Sequence, residues 1–124
     1  MKNKKFEKWA LPKIEKIAKI MLLEHFYPIK IKWKKEIMYN AIAGFQFSYP
    51  YQSLTILYTD KLIEDWKEKD NSVKNILVHE VTHALTDPFY NAGWQRFITK
   101  EVFEDEREKL TDHIANIVIK NQLI

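Results

Sequence analysis

Apolar residues recur along this chain with two different periods, and the switches between them mark its elements. Ile14, Ile17, Ala18 and Met21 are spaced as on one side of a helix, with lysine and glutamate filling the other side. The spacing predicts a helix over residues 12–26. Pro12 falls in its first turn, where a missing N–H costs nothing, and Pro28 stops it. The period then drops to two. Ile29, Ile31 and Trp33 alternate with Lys30, Lys32 and Lys34, the pattern of a half-buried strand. A second strand is expected over 42–49, with Ala43, Phe45 and Phe47 on one face and Gly44 on the other, leaving room for a close neighbour. A turn at Tyr49-Pro50-Tyr51-Gln52 leads to a third strand over 54–59, and the last two pair as a hairpin.

The helical period returns after Asp60, read as the cap of a short helix carrying Leu62, Ile63 and Trp66. Asp70-Asn71-Ser72 supplies cap residues for a helix over 73–85. Its core stripe is Val73, Leu77, Val81 and Ala84, and Pro88 lies beyond its end. An irregular aromatic stretch, 87–97, separates it from a final helix over 98–120. The order predicts an α+β fold over 1–124, a small antiparallel or mixed three-stranded sheet backed by helices. Trp9, Trp33, Trp66 and Trp94 read as packing residues.

Composition narrows the picture. The chain has 124 residues, 46% of them apolar, which supports one core and leaves no room for a second. With no cysteine, any metal must be held by histidine and carboxylate. The net charge of +3 owes much to Lys2, Lys4, Lys5, Lys8, Lys13, Lys16 and Lys19. These read as the solvated face of the first helix, and no aromatic-plus-basic motif points to nucleic acid. The most apolar stretch near the amino end, 17–23, is interrupted by Lys19 and is too short to span a bilayer. No cleavage pattern follows it, so a cytoplasmic location is expected.

The chemistry concentrates in His79-Glu80-Val81-Thr82-His83. Residues four apart on a helix share a face, so both imidazoles can reach one tetrahedral ion. Glu80 is placed to take a proton from a water in the open coordination position. Zinc needs a third protein ligand, and His25, His113 and the acids of the last helix are available. Glu104, Glu108 and Asp112 form a stripe at spacing four. Glu108 is favoured over Glu104, because a carboxylate one turn further on, Asp112, can accept a hydrogen bond from a ligand histidine and fix its orientation. His25 reads as a helix-terminal cation instead.

His79-Glu80-x-x-His83 followed by Glu108-x-x-x-Asp112 on another helix resembles the gluzincin zinc metallopeptidases, in the minimal single-domain form of the minigluzincins. The specific part of the likeness is about ten residues within 29–118. It implies a zincin-like catalytic domain that hydrolyses peptide or protein substrates with Zn2+. It assigns the ligands to His79, His83 and Glu108, the general base to Glu80, and the orientation of His79 to Asp112. Ala115 matches a small residue often found there against the active-site helix. Larger members carry a second subdomain that stabilises the oxyanion, and this chain has no such subdomain; His113, Tyr90 and Tyr58 are the conceivable stand-ins. Members of the class also hold an extended peptide along an edge strand, for which 54–59 is the candidate, its alternative being an ordinary core strand. The rival functional expectation is a metal-binding regulatory or interaction module without proteolysis.

Overall fold

Why the chain begins as a helix is visible in its first stripe. Phe6, Ala10, Ile14, Ile17 and Ala18 are all buried, at spacings that keep them on one side. In the computed structural model, which describes residues 2–23, 26–48, 53–93 and 100–121, this stripe makes helix α1 (Lys2–Ile20). The helix therefore starts well before Pro12, which sits inside it and not in its first turn. Pro12 is on the solvent side. Lys8, whose carbonyl loses its helical partner to the proline, is exposed as well. The end of α1 also differs from expectation, and Pro28 has no part in it. Leu22 adopts a left-handed φ of 60°. Its N–H donates to the Lys19 carbonyl at 3.1 Å and the Leu23 N–H to the Ala18 carbonyl at 2.7 Å. These are the paired bonds of a left-handed C-terminal cap, with leucine where glycine is usual.

Three strands follow, β1 (Ile29–Trp33), β2 (Ala43–Ser48) and β3 (Ser53–Tyr58), in the order β1-β3-β2. β2 and β3 pair antiparallel, with Phe45 opposite Ile56, as a hairpin requires; its turn lies outside the described residues. β1 runs parallel to β3, with Ile31 opposite Ile56. The sheet is thus mixed, and β3 is its central strand. This corrects the edge-strand reading of the third strand: both of its sides are taken, and β2 is the edge next to the site. Leu54, Ile56 and Tyr58 point from β3 into the core and are fully buried. Gly44 faces the other way. A Cβ there would stand 3.3 Å from Ile37 Cγ2, so Ile37 fills the space the glycine leaves.

Helix α2 (Asp60–Glu68) places Thr59, not Asp60, at its N-cap. The Thr59 hydroxyl donates instead to the Ile42 carbonyl at 2.9 Å, tying the helix start to β2. Asp60 stands in the first turn, where a negative charge suits the helix dipole, and accepts a bond from Trp33 Nε1 at 3.0 Å. Trp66 packs with Trp9 and edge-on to Phe6, at centroid separations of 5.6 and 5.4 Å. Tyr58 closes this aromatic cluster and donates its hydroxyl to Glu7. Burial, reinforced by Glu7, pushes the Tyr58 phenol well above its ordinary pKa.

Helix α3 (Asp70–Gly93) carries the expected stripe, with Val73, Leu77 and Val81 fully buried. It starts at Asp70 and runs through Pro88, about two turns past the expected end. A proline removes one backbone bond but does not have to terminate a helix held by packing. Helix α4 (Lys100–Lys120) lies antiparallel along α3, with Thr111, Ala115 and Val118 buried. The Thr86 and Thr111 hydroxyls hydrogen-bond across this seam at 2.8 Å. The fold is α+β, with four helices and a small mixed sheet among the described residues. No helix among the described residues is long and apolar enough to cross a membrane. His25 and Trp94 lie outside the described residues, as does the side chain of Tyr90.

Candidate metal centre

The seam between α3 and α4 is apolar at one end and ionisable at the other. His79 and His83, one turn apart on α3, turn Nε2 toward the same point, 3.2 Å from each other. Glu108 reaches that point from α4, with Oε2 at 3.5 Å from His83 Nε2 and 3.9 Å from His79 Nε2. Among the described residues, these three form a group of potential ligands whose donor atoms all lie within 4.8 Å of one another. Glu104, one turn earlier on α4, is not in the group. Neither is His113, which is exposed.

What orients the imidazoles is a carboxylate behind each. His79 donates from Nδ1 to Asp112 at 2.8 Å, and His83 donates from Nδ1 to Asp87 at 2.9 Å. With both Nδ1 atoms carrying hydrogen, both Nε2 lone pairs are left facing inward, toward a carboxylate oxygen. Three acceptors crowded together repel unless a proton or a metal ion lies among them. A point equidistant from the three atoms can come as close as about 2.1 Å to each, within reach of the bonds that nitrogen and oxygen make to a small divalent metal.

Asp87 is the functional residue the sequence reading missed in this role. Ending α3 at residue 85 put it in a loop, whereas the continued helix sets it one turn beyond His83, on the same face. Arg107 of α4 lies behind it, Nη1 3.9 Å from Asp87 Oδ1. Phe45 from β2 was missed too. Its ring lies nearly parallel to that of His83, 17° off at 6.3 Å between centroids, and screens one side of the site. The signal for Asp87 was its spacing of four from His83 on a helix continued past Pro88, and that for Phe45 was the placement of β2 against α3, which no single-element pattern carries.

The electrostatics follow from this crowding. Burial works against a charge on His83, but the hydrogen bond and charge of Asp87, helped by Glu80 and Glu108, outweigh it and raise its pKa above the ordinary value. Glu80, beside His79, has its carboxyl raised chiefly by burial, against the lowering effect of the two histidines. Glu80 and His79 open onto a cleft of about 490 Å³ between α3, α4 and the start of β2. Ile42, Ala43, Ile76 and Ile119 make its apolar wall, and Asn75 and Asn116 bring amides to it. Tyr58, one of the conceivable oxyanion stand-ins, is committed elsewhere, to Glu7.

The chain was compared with protein-family models, curated proteins and solved structures, and none of them matches it.

Proposed function

We propose that this chain is a zincin-like metallopeptidase domain of minimal size, in which His79, His83 and Glu108 hold a zinc ion and Glu80 is the general base. The observation that carries this reading is the inward convergence of two Nε2 lone pairs and a carboxylate oxygen, each imidazole held by its own carboxylate. Such a donor set, neutral nitrogens with one oxygen and no sulfur, suits zinc in a site that keeps a position open. Zinc held there would supply the Lewis acidity that polarises a carbonyl and makes a water nucleophilic near neutral pH.

The chain's own residues account for the rest. Glu80 sits one residue from His79, facing the cleft, and its raised pKa brings the carboxylate nearer to the basicity a general base needs. It takes the proton of the attacking water and passes it to the leaving amine. Asp112 and Asp87 keep the imidazoles in the tautomer that offers Nε2. β2, as the edge of the sheet beside the cleft, is where an extended peptide backbone can add as a further strand. The apolar wall beyond Glu80 receives a side chain of that peptide.

The test is Glu80→Gln. The amide keeps the shape but accepts no proton, so hydrolysis of mixed-sequence peptides by the zinc-loaded protein is expected to fall about 10²–10⁴-fold while zinc binding is retained. Zinc bound by both proteins with hydrolysis by neither would leave a metal-binding module and no peptidase.

A further inference from the structure

The outer face of the sheet, away from the helices, collects features that neither the core nor the metal centre uses. Eight large apolar or aromatic side chains stand out as exposed among the described residues, and two of them, Met38 and Tyr39, stand beside this face with Lys34, Gly44 and Leu57. The two are adjacent, Met38 at 75% and Tyr39 at 91% exposure. They sit on a single 3-10 turn, Met38–Asn40, that joins β1 to β2. Both Tyr39 and Asn40 hold left-handed φ values, 63° and 56°, which non-glycine residues adopt at a cost. The turn is anchored beneath by Ile37, packed over Gly44 and Leu57. The chain thus accepts a strained backbone to present a thioether and a phenol to the outside.

The surroundings are basic. Lys30 and Lys32 project from the outer face of β1, in register with Thr55 and Leu57 of β3, and Lys34 and Lys35 follow; all four are exposed. Met38, Tyr39 and Lys34 line one shallow hollow with Leu57. Glu36, in the same hollow, is the single acid between residues 26 and 40, against four lysines. A flexible apolar tip, an amphipathic ring and a row of ammonium groups on one surface is the composition that seats a protein at an anionic lipid headgroup layer. The aromatic ring lies at the interface, and the lysines meet the lipid phosphates and carboxylates.

We propose that the Met38–Tyr39 turn and the lysines beside it are a docking surface for an anionic bilayer. The apolar tip enters the headgroup region and Lys30, Lys32, Lys34 and Lys35 provide the charge contact. Because Ala41 and Ile42, which follow the turn, line the cleft of the metal centre, docking would hold that cleft close to the membrane surface. The inference does not depend on the metal reading.

The test uses the full chain and two kinds of sedimenting vesicle, phosphatidylcholine alone and phosphatidylcholine with about a quarter phosphatidylserine, the anionic component that attracts basic segments. Binding is expected only with phosphatidylserine, and is expected to weaken steeply with added salt. Each Lys→Gln change at 30, 32, 34 or 35 is expected to weaken it about fivefold. The same change at Lys5, Lys8, Lys67 and Lys69, also exposed, is expected to do much less. The double variant Met38→Ser, Tyr39→Ser is expected to lose about tenfold or more without altering the salt dependence. Since all these positions are exposed, unchanged circular dichroism separates lost binding from lost fold. Three results would each overturn the proposal: no binding to either vesicle, equal losses from both lysine sets, or binding indifferent to Met38 and Tyr39. A dimer that dissociates on Tyr39→Ser, in a protein that ignores vesicles, would assign the surface to a second copy of the chain instead.

Discussion

Two regions hold helices to their neighbours in this molecule, and they do so by opposite means. At the start of the chain, α1 and α2 meet the sheet through Phe6, Trp9, Trp66 and Tyr58, with one carboxylate, Glu7, admitted to satisfy a phenol. At the other end, α3 and α4 meet through His79–Asp112, Thr86–Thr111 and the approach of Glu108 to His83, which Asp87 holds from within α3. The first region gains stability from burial and leaves no lone pair waiting. The second brings two imidazole nitrogens and a carboxylate oxygen to one point, a grouping that suits a bound cation better than it suits packing. The contrast separates what folds the chain from what we propose it does.

Substitutions can break that contrast. The largest effect is expected from His83→Ala, which removes a proposed ligand: zinc affinity measured by competition with a chelator is expected to fall about a thousandfold or more. Phe6→Ala is the counterpart, expected to cost about 3–5 kcal/mol in denaturant unfolding of the metal-free protein. Its zinc affinity under folding conditions is expected to be nearly unchanged. If the two effects were exchanged, the division of labour between the regions would be wrong.

Smaller effects sharpen it. Asp112→Asn and Asp87→Asn are each expected to reduce zinc affinity about 10–100-fold, since each frees an imidazole to rotate or change tautomer. Equal affinity in the Asp87→Asn protein would reduce its contact with His83 to a surface pairing. Tyr58→Phe, in the other region, is expected to cost about 1–3 kcal/mol by leaving Glu7 without its donor. Restoring most of that stability with a second change, Glu7→Gln, would show the cost lies in the stranded carboxylate.

The pH dependence should also divide the metal-free from the zinc-loaded protein. With its folded pKa raised, protonated His83 contributes stability that is fully present below the unfolded value of about 6.5 and is lost as pH rises through the folded value. Zinc requires the neutral imidazole, so its affinity is expected to climb over the same window. Urea midpoints with and without zinc, measured across that range, are expected to diverge as pH rises.

How much of this was legible in the sequence depended on the range of the interaction that decides it. The stripe Val73, Leu77, Val81 and Ala84 and the alternation of β1 were legible because they record burial on one element. So was the pairing of His79 with His83, since helical spacing alone puts them together. The end of α1 was not, because it rests on a leucine in a conformation that residue disfavours. Leu22→Gly is accordingly expected to stabilise the protein by up to about 1 kcal/mol, the smallest effect anticipated here. The central place of β3 was hidden as well, because parallel pairing with β1 joins residues far apart in sequence. Asp87 was lost for a different reason: Pro88 suggested an end to α3, and the carboxylate one turn past His83 went with the discarded turn.

The central claim is that the α3–α4 seam is completed by one metal ion. Zinc titrated into metal-free protein, followed by calorimetry at neutral pH, tests it most directly. The account predicts saturation at about one zinc per chain, with release of protons as the ion displaces them from the imidazoles. It also predicts no such step in the protein carrying His79→Ala and His83→Ala together. A wild-type chain that takes up no zinc, or a double variant that takes it up just as tightly, would contradict it.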